Sequence, residues 1–384
     1  MAILQGAITI ALFILILGGL VVIHEVGHFL LARLFGIRVL EFGIGFPPRA
    51  RILRSGGETL YTLNWLPIGG FVRLEGEDGE SGDPRSFAVQ RLWKKLVVLV
   101  AGVGMNLALA FVIFSGIAWL AAPQGGLVFS EVVAGSPAEA AGLRPGETIL
   151  AIDGRSFDLF PSPDAGRAAI AALRAKAGET VTLTVEAEDG AVRQVQATLR
   201  PPEVADEKGA LGIRGAQLVF SGAYRGRDLG AAIGAGAAWT AAAFGLILNG
   251  LADLVGSIVA NPAQPPPVSG PVGIAVQVGD VFWQLGPIFT LYLAGLLSAN
   301  LALVNVLPFP PLDGGRMLVL VLRALLATGG RALRAAGVRV KGPSAETAIS
   351  VERLTYLVGF AFLFGFLIWI TYFDIARQVG GGTP

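Results

Sequence analysis

The chain has only two histidines, and they stand four residues apart in Val22-Ile23-His24-Glu25-Val26-Gly27-His28-Phe29, with a glutamate after the first. On a helix that spacing puts both imidazoles on one face, about 6 Å apart along the axis, so both can bind one ion. HExxH is a zinc signature. Two neutral imidazoles hold the metal, a third ligand comes from elsewhere, and an open position takes a water whose pKa falls to about 7. Glu25 is then the general base. A pair of helix histidines that only hydrogen-bond to neighbouring helices would need neither Glu25 nor the placement of both histidines here. With no cysteine in the chain, the remaining ligand must be a carboxylate.

The element that carries the motif is unusual for such a site. From about Ile8 to Leu34 nearly every residue is apolar, a run long enough to cross a bilayer. An ionisable group at the centre of a membrane costs about 2.5–3.5 kcal/mol by insertion scales and by default marks function. The composition agrees: 53% hydrophobic residues and 15% charged residues describe a polytopic membrane protein with a polar insert. A net charge of +1, with basic residues spread over loops rather than along one face, gives no case for a nucleic-acid interface. The first twenty residues have no basic n-region and run straight into His24, so they are expected to remain as an uncleaved first span.

Basic residues set the expected orientation. Arg33 and Arg38 follow span one, and Arg91, Lys94 and Lys95 precede span two (about Leu96 to Ala121), which puts the loop between them and the end of span one on the cytoplasmic side. Within that loop, residues 38–90, the segments around Ser55-Gly56-Gly57-Glu58 alternate with strand period and predict a hairpin. Gly43, Gly45, Gly69 and Gly70 lie in apolar stretches and suit backbone that bends close to a substrate, because a strand edge beside the motif can pair with an extended peptide. The acidic run from Glu75 to Asp83 reads as a solvated loop. Gly102, Gly104, Asn106 and Ala108 in span two suggest close helix packing.

A polar insert follows at 122–201. Ser136-Pro137-Ala138-Glu139-Ala140-Ala141-Gly142-Leu143-Arg144-Pro145-Gly146-Glu147 predicts a capped short helix ended by Gly142, then a turn, a strand over Thr148–Ile152 and a turn at Asp153-Gly154. This run resembles a PDZ domain. The resemblance implies an extended peptide or C-terminus bound along a strand edge, with a carboxylate cradle at Gly125, Gly126, Leu127 and Val128; a plain spacer is the alternative.

Beyond a linker, residues 229–256 are apolar, Asn261-Pro262-Ala263-Gln264-Pro265-Pro266-Pro267 cannot be regular helix, and a span at about 286–307 runs into Pro308-Phe309-Pro310-Pro311-Leu312-Asp313-Gly314-Gly315. Broken backbone at membrane depth survives only where it is buried or lines a cavity. Asp313 is the carboxylate at that break and is expected to be the third zinc ligand; helix capping is its alternative role. A last span covers about Leu354–Phe373, preceded by a basic loop from Arg316 to Arg353 that includes Arg339 and Lys341. For His24, His28 and Asp313 to meet, spans one and 286–307 must run in the same direction. Residues 229–256 are therefore expected to lie along the outer face or to re-enter without crossing.

Taken together, His24-Glu25-Val26-Gly27-His28, Phe42-Gly43-Ile44-Gly45-Phe46, Phe87 to Asn106, Ser269-Gly270-Pro271-Val272-Gly273 and Asn305 to Gly315 resemble the site-2 protease family of intramembrane zinc metalloproteases, most closely its bacterial regulator-of-sigma-E branch with one PDZ domain. The resemblance implies one Zn²⁺ on His24, His28 and Asp313, Glu25 as base, Asn305 as a residue that holds substrate, and a membrane-associated β-hairpin that clamps an unwound substrate. The expected fold is thus a polytopic α-helical membrane protein with about four transmembrane helices, a membrane-associated β-hairpin and an inserted extracytoplasmic PDZ-like α+β domain. Its divisions are 1–121, 122–201, 202–285 and 286–384. The implied substrate is a single-pass transmembrane signalling protein such as an anti-sigma factor. The implied location is the bacterial inner membrane, with the N-terminus, PDZ-like domain and C-terminus outside. A catalytically silent PDZ-bearing scaffold and a zinc peptidase acting on soluble peptides are the rival readings.

Overall fold

The structure is a computed structural model that describes residues 1–77, 81–160, 165–204, 209–261, 264–335 and 345–379. Of the segments read above, Pro262, Ala263, Arg339, Lys341 and part of the acidic run lie outside the described residues. The chain forms two compact units, one of residues 1–111 with 243–384 and one of residues 112–242.

The first unit begins with α1 (Ala2–Leu34), β1 (Val39–Arg54), β2 (Leu60–Leu74) and α2 (Leu92–Leu120), whose last turns pass into the second unit. The second unit follows with β3 (Ala122–Val128), β4 (Glu131–Val132), α3 (Pro137–Ala140), β5 (Thr148–Ile152), β6 (Arg155–Asp158) and α4 (Ala165–Arg174). It continues through β7 (Thr180–Glu186), β8 (Val192–Thr198), β9 (Ile213–Arg214) and β10 (Gln217–Arg225) into α5 (Leu229–Ala260). The first unit is then completed by α6 (Pro271–Leu285), α7 (Pro287–Val306), α8 (Asp313–Ala335) and α9 (Ala345–Val379). Among the described residues, five helices are long and apolar enough to cross a membrane: α1, α2, α5, α7 and α9 from Arg353 onward. The molecule is a polytopic membrane protein with β structure, and α5, expected not to cross, qualifies as a span by length and composition.

In the first unit the two long strands each fold back on themselves. Residues 41–44 pair with 70–73 on one side and with 60–63 on the other, while 49–54 pair with 61–64 across the turn at Ser55–Glu58. The predicted hairpin is therefore the outer part of a sheet of four segments. Phe46 leads into the bend, and Gly45, at φ +79°, lies so close to the Leu66 carbonyl that a side chain would collide with it. One buried carboxylate holds all four segments. Glu41 takes hydrogen bonds from Arg49 Nη2 at 2.8 Å and Thr62 Oγ1 at 2.9 Å and pairs with Arg73 at 3.4 Å, one partner from each neighbouring segment. The acidic run is not merely solvated: Glu77 is paired with Arg316, and Asp83 with Arg38 at 3.1 Å.

In the second unit a six-stranded sheet of order β10-β3-β6-β5-β7-β8 packs on α3 and α4 around Leu127, Phe129, Ile149, Val181, Leu183 and Val185. The local signals read from the sequence hold. Ser136 Oγ accepts the Glu139 N–H at 3.2 Å, Pro137 opens α3, and Gly142 ends it at φ +70°. Glu147, raised by burial but outweighed by the two-pronged guanidinium of Arg193 at 2.7 and 2.9 Å, ionises below the usual glutamate range. Two expectations are corrected. The insert does not end at 201, because Ala210 and Leu211 belong to its core and β10 pairs with β3. Gly125, Gly126, Leu127 and Val128 form no carboxylate cradle: their strand is paired with β10 along one edge and with β5 and β6 along the other, so its amide row is already used.

Replacing Glu41 with Leu removes charge-assisted hydrogen bonds worth about 1.5–3 kcal/mol from the centre of the four-segment sheet. Tryptic cleavage at Arg49, Arg51 and Arg54 in the solubilised protein should then accelerate roughly tenfold or more, with His24 and His28 unaffected. An unchanged digestion rate would show that the sheet does not depend on Glu41.

Candidate metal centre

The apolar stretch of α1 is an uninterrupted helix, so His24 and His28 fall on one face, and both are buried, 6% and 8% exposed. Their rings meet edge to face with centroids 4.7 Å apart. Asp313 is the first residue of α8, directly after the proline break that follows α7. The two residues behind it must be glycine: a side chain at Gly314 would collide with the carbonyls of Val306 and Leu307, and one at Gly315 would come within 2.6 Å of the Phe309 carbonyl carbon. These contacts fold the start of α8 back onto the end of α7 and aim Asp313 at α1.

Three atoms converge. His24 Nε2 lies 3.0 Å from Asp313 Oδ2, His28 Nε2 lies 3.3 Å from the same oxygen, and the two Nε2 atoms are 3.1 Å apart. His28 Nδ1 is 2.8 Å from the carbonyl oxygen of Val98, which can only accept, so Nδ1 carries a proton, and in the neutral ring Nε2 presents its lone pair to the cluster. Electron-rich atoms at such separations repel unless a cation lies among them. Ligands bound tetrahedrally at about 2.0–2.1 Å would be about 3.3 Å apart, so the donor set fits a zinc ion in type and spacing. The three residues form a potential metal-binding group among the described residues.

α2 forms the wall behind them. A side chain at Gly102 would run into His28 Nε2 and come within 2.7 Å of His24 Nε2, which is the space an ion on these ligands needs. Gly27 on α1 faces Ala101 just as tightly, with a built Cβ 2.6 Å from the Ala101 carbonyl carbon. The sequence suggests packing roles for Gly102 and Asn106, and the structure sets both against the two histidines. Their signal was the stripe Val98, Gly102 and Asn106, spaced by four and thus on one face of α2.

A cavity of about 520 Å³ opens onto the cluster and is lined by His24, Glu25, His28, Asn305 and Asp313 together with Gly70 and the rest of the 70–74 segment. Four of the residues read from sequence therefore share one site with Asn305 and Gly70. Gly43, Gly45 and Gly69 do not line it; Gly43 packs on the Phe71 ring, and Gly69, at φ +91°, packs beside the Phe46 ring. Glu77 and Arg316, whose ion pair lines the same cavity, were not singled out in the sequence because they lie 239 positions apart.

The sequence profile of peptidase family M50 matches residues 12–341. Relatives include a provisionally named zinc metalloprotease of Clostridium perfringens, 30% identical over 94% of this chain and 97% of its own length. Another from Brucella suis is 28% identical, covering 96% of this chain and 95% of its own length. The zinc metalloprotease RasP of Geobacillus kaustophilus is 27% identical, with 95% and 97% covered. With the HExxH helix and the Asp313 break both inside the matched range, the chain belongs to peptidase family M50, the zinc-dependent site-2 proteases.

Proposed function

We propose that this protein is an intramembrane endopeptidase that cuts single-pass signalling proteins, with one zinc held by His24, His28 and Asp313. The observation that carries the reading is the convergence of those three side chains, 3.0–3.3 Å apart, on the most apolar helix of a family M50 peptidase. When bound, zinc supplies Lewis acidity toward water and the scissile carbonyl. Glu25, beside both histidines in the cavity, takes the proton of the attacking water and passes it to the leaving amine.

A transmembrane substrate hides its amides in helical hydrogen bonds and must be unwound before it is cut. The 70–74 segment supports this role: it is the end segment of its sheet, it lines the cavity, and Gly70 lies beside Val22 and Glu25 of α1. Main-chain pairing along that segment would hold an extended peptide over the ligands, with Asn305 gripping it from the opposite wall. The substrate class is an anti-sigma-factor-like protein already trimmed on its outer side. The inserted PDZ-like domain acts as a gate against untrimmed ectodomains. The protein resides in the bacterial inner membrane, with its insert and both termini outside and the metal centre toward the cytoplasm. A scaffold without activity would have no use for a carboxylate at Glu25.

Metal analysis tests the ligand set. His24→Ala, His28→Ala and Asp313→Ala should each purify without zinc, and Gly102→Ala should lose at least nine-tenths of it although no ligand is removed. Full occupancy in Asp313→Ala would reject the assignment.

Glu25→Gln keeps the shape of the side chain and loses the base. Reconstituted with a single-pass substrate, it should hold zinc and cleave at least 10³-fold more slowly than the parent protein. Turnover like that of the parent would place the base elsewhere.

The orientation of α5 decides the topology. If α5 does not cross, single cysteines replacing exposed Ala223 and Ala260 in this cysteine-free chain should both react with a membrane-impermeant thiol reagent in intact cells. Reaction of Ala260→Cys only after the inner face is opened would make α5 a fifth crossing.

A further inference from the structure

The side chain of Asn106, on α2, is fully buried, and its amide lies 3.3 Å from His24 Nδ1. Nδ2 faces the imidazole, and Oδ1 has no hydrogen-bond partner among the described residues. The two ends of an amide have the same shape, so which one faces a neighbour is decided by the hydrogen bonds around it. Here the chemistry of His24 decides. Its Nε2 points at His28 Nε2 and Asp313 Oδ2, and to bind an ion there it must be unprotonated, which places the proton on Nδ1. An amide N–H set against that Nδ1–H would put two donors face to face. The opposite orientation makes a hydrogen bond and also uses the oxygen that is otherwise orphaned.

We infer that Asn106 is a positioning residue of the metal centre: its Oδ1 accepts the Nδ1–H of His24 and so keeps His24 Nε2 free as a ligand, as the Val98 carbonyl does for His28. The two supports come from one face of α2, with Gly102 between them leaving room for the ion. The backbone carbonyl of Asn106 accepts Ser298 Oγ–H at 2.8 Å, which ties this stretch of α2 to α7. Groups that accept the second ring N–H of a ligating histidine fix its tautomer and its direction, and their loss typically lowers metal affinity 10- to 100-fold. The inference rests on the metal reading of His24, His28 and Asp313.

The test compares Asn106→Leu, which keeps the volume and removes the acceptor, with Asn106→Asp, which keeps an acceptor and removes the amide donor. Zinc affinity is measured by competition with a chelator. The ring nitrogens are read by ¹⁵N NMR of histidine-labelled, zinc-loaded protein, where two histidines give an assignable spectrum. Asn106→Leu should bind zinc 10- to 100-fold more weakly and lose the hydrogen-bonded Nδ1–H signal of His24, while the His28 signal, held by Val98, persists. Asn106→Asp should stay within a few-fold of the parent and keep both signals. Parental affinity in Asn106→Leu would overturn the inference, and so would an Asn106→Asp protein as weak as Asn106→Leu. A parent protein with no histidine-bound zinc would instead reject the ligand assignment, and the inference with it.

Discussion

Three ligand atoms held within 3.3 Å of one another, in a buried cluster beside a cavity, form a constraint that the rest of this membrane unit serves. With both Nε2 atoms unprotonated the three atoms repel one another, and a cation among them turns that repulsion into binding. Several costly features maintain it. α1 keeps two imidazoles and a carboxylate in an apolar span, α7 stops at a proline break, and Gly314 and Gly315 give up side chains so that Asp313 can point back. Together they fit the proposed metal site.

The sheet answers a second constraint. A substrate strand needs a rigid partner beside the metal, yet a strand edge near a membrane surface tends to pair indiscriminately. Here the edge segment 70–74 stays in place because the segments behind it are tied through Glu41, and because β2 also rests on α1, where Gly18 admits the Pro67 carbonyl at 3.2 Å from the position a Cβ would take. The same α1 that holds the histidines thus sets the distance from that edge segment to the His24, His28 and Asp313 cluster.

What the sequence made legible was local or costly. HExxH is read from spacing on one helix, and Asp313 stands out because an ionisable residue at a proline break among apolar residues needs a reason to be there. The short helix at Pro137 was legible from its cap and its glycine. The supports on α2 were not, because Val98, Gly102 and Asn106 become a metal wall only once α2 is rotated toward α1, and rotation is fixed by packing that no single helix reveals. The carboxylate cradle failed for a similar reason. Gly125 to Val128 looks like a free strand until residues 217–220, read as linker, are found paired to it. Pairing between distant segments is set by register in space, and the loop of about ninety residues between them carries no sign of it.

Charge balance ties the cavity together. In a medium of low dielectric a site must be close to neutral or be filled by a counter-charge. Glu77 and Arg316 at the cavity wall neutralise each other, beside His24, Glu25, His28 and Asp313. The acidic loop after the sheet therefore contributes a carboxylate to the cavity wall that is already paired. The same pair joins that loop to the helix that begins at Asp313. Among the described residues that line the cavity, Glu25 is the carboxylate that neither pairs with a guanidinium nor belongs to the His24, His28 and Asp313 cluster. That is the condition a general base has to meet.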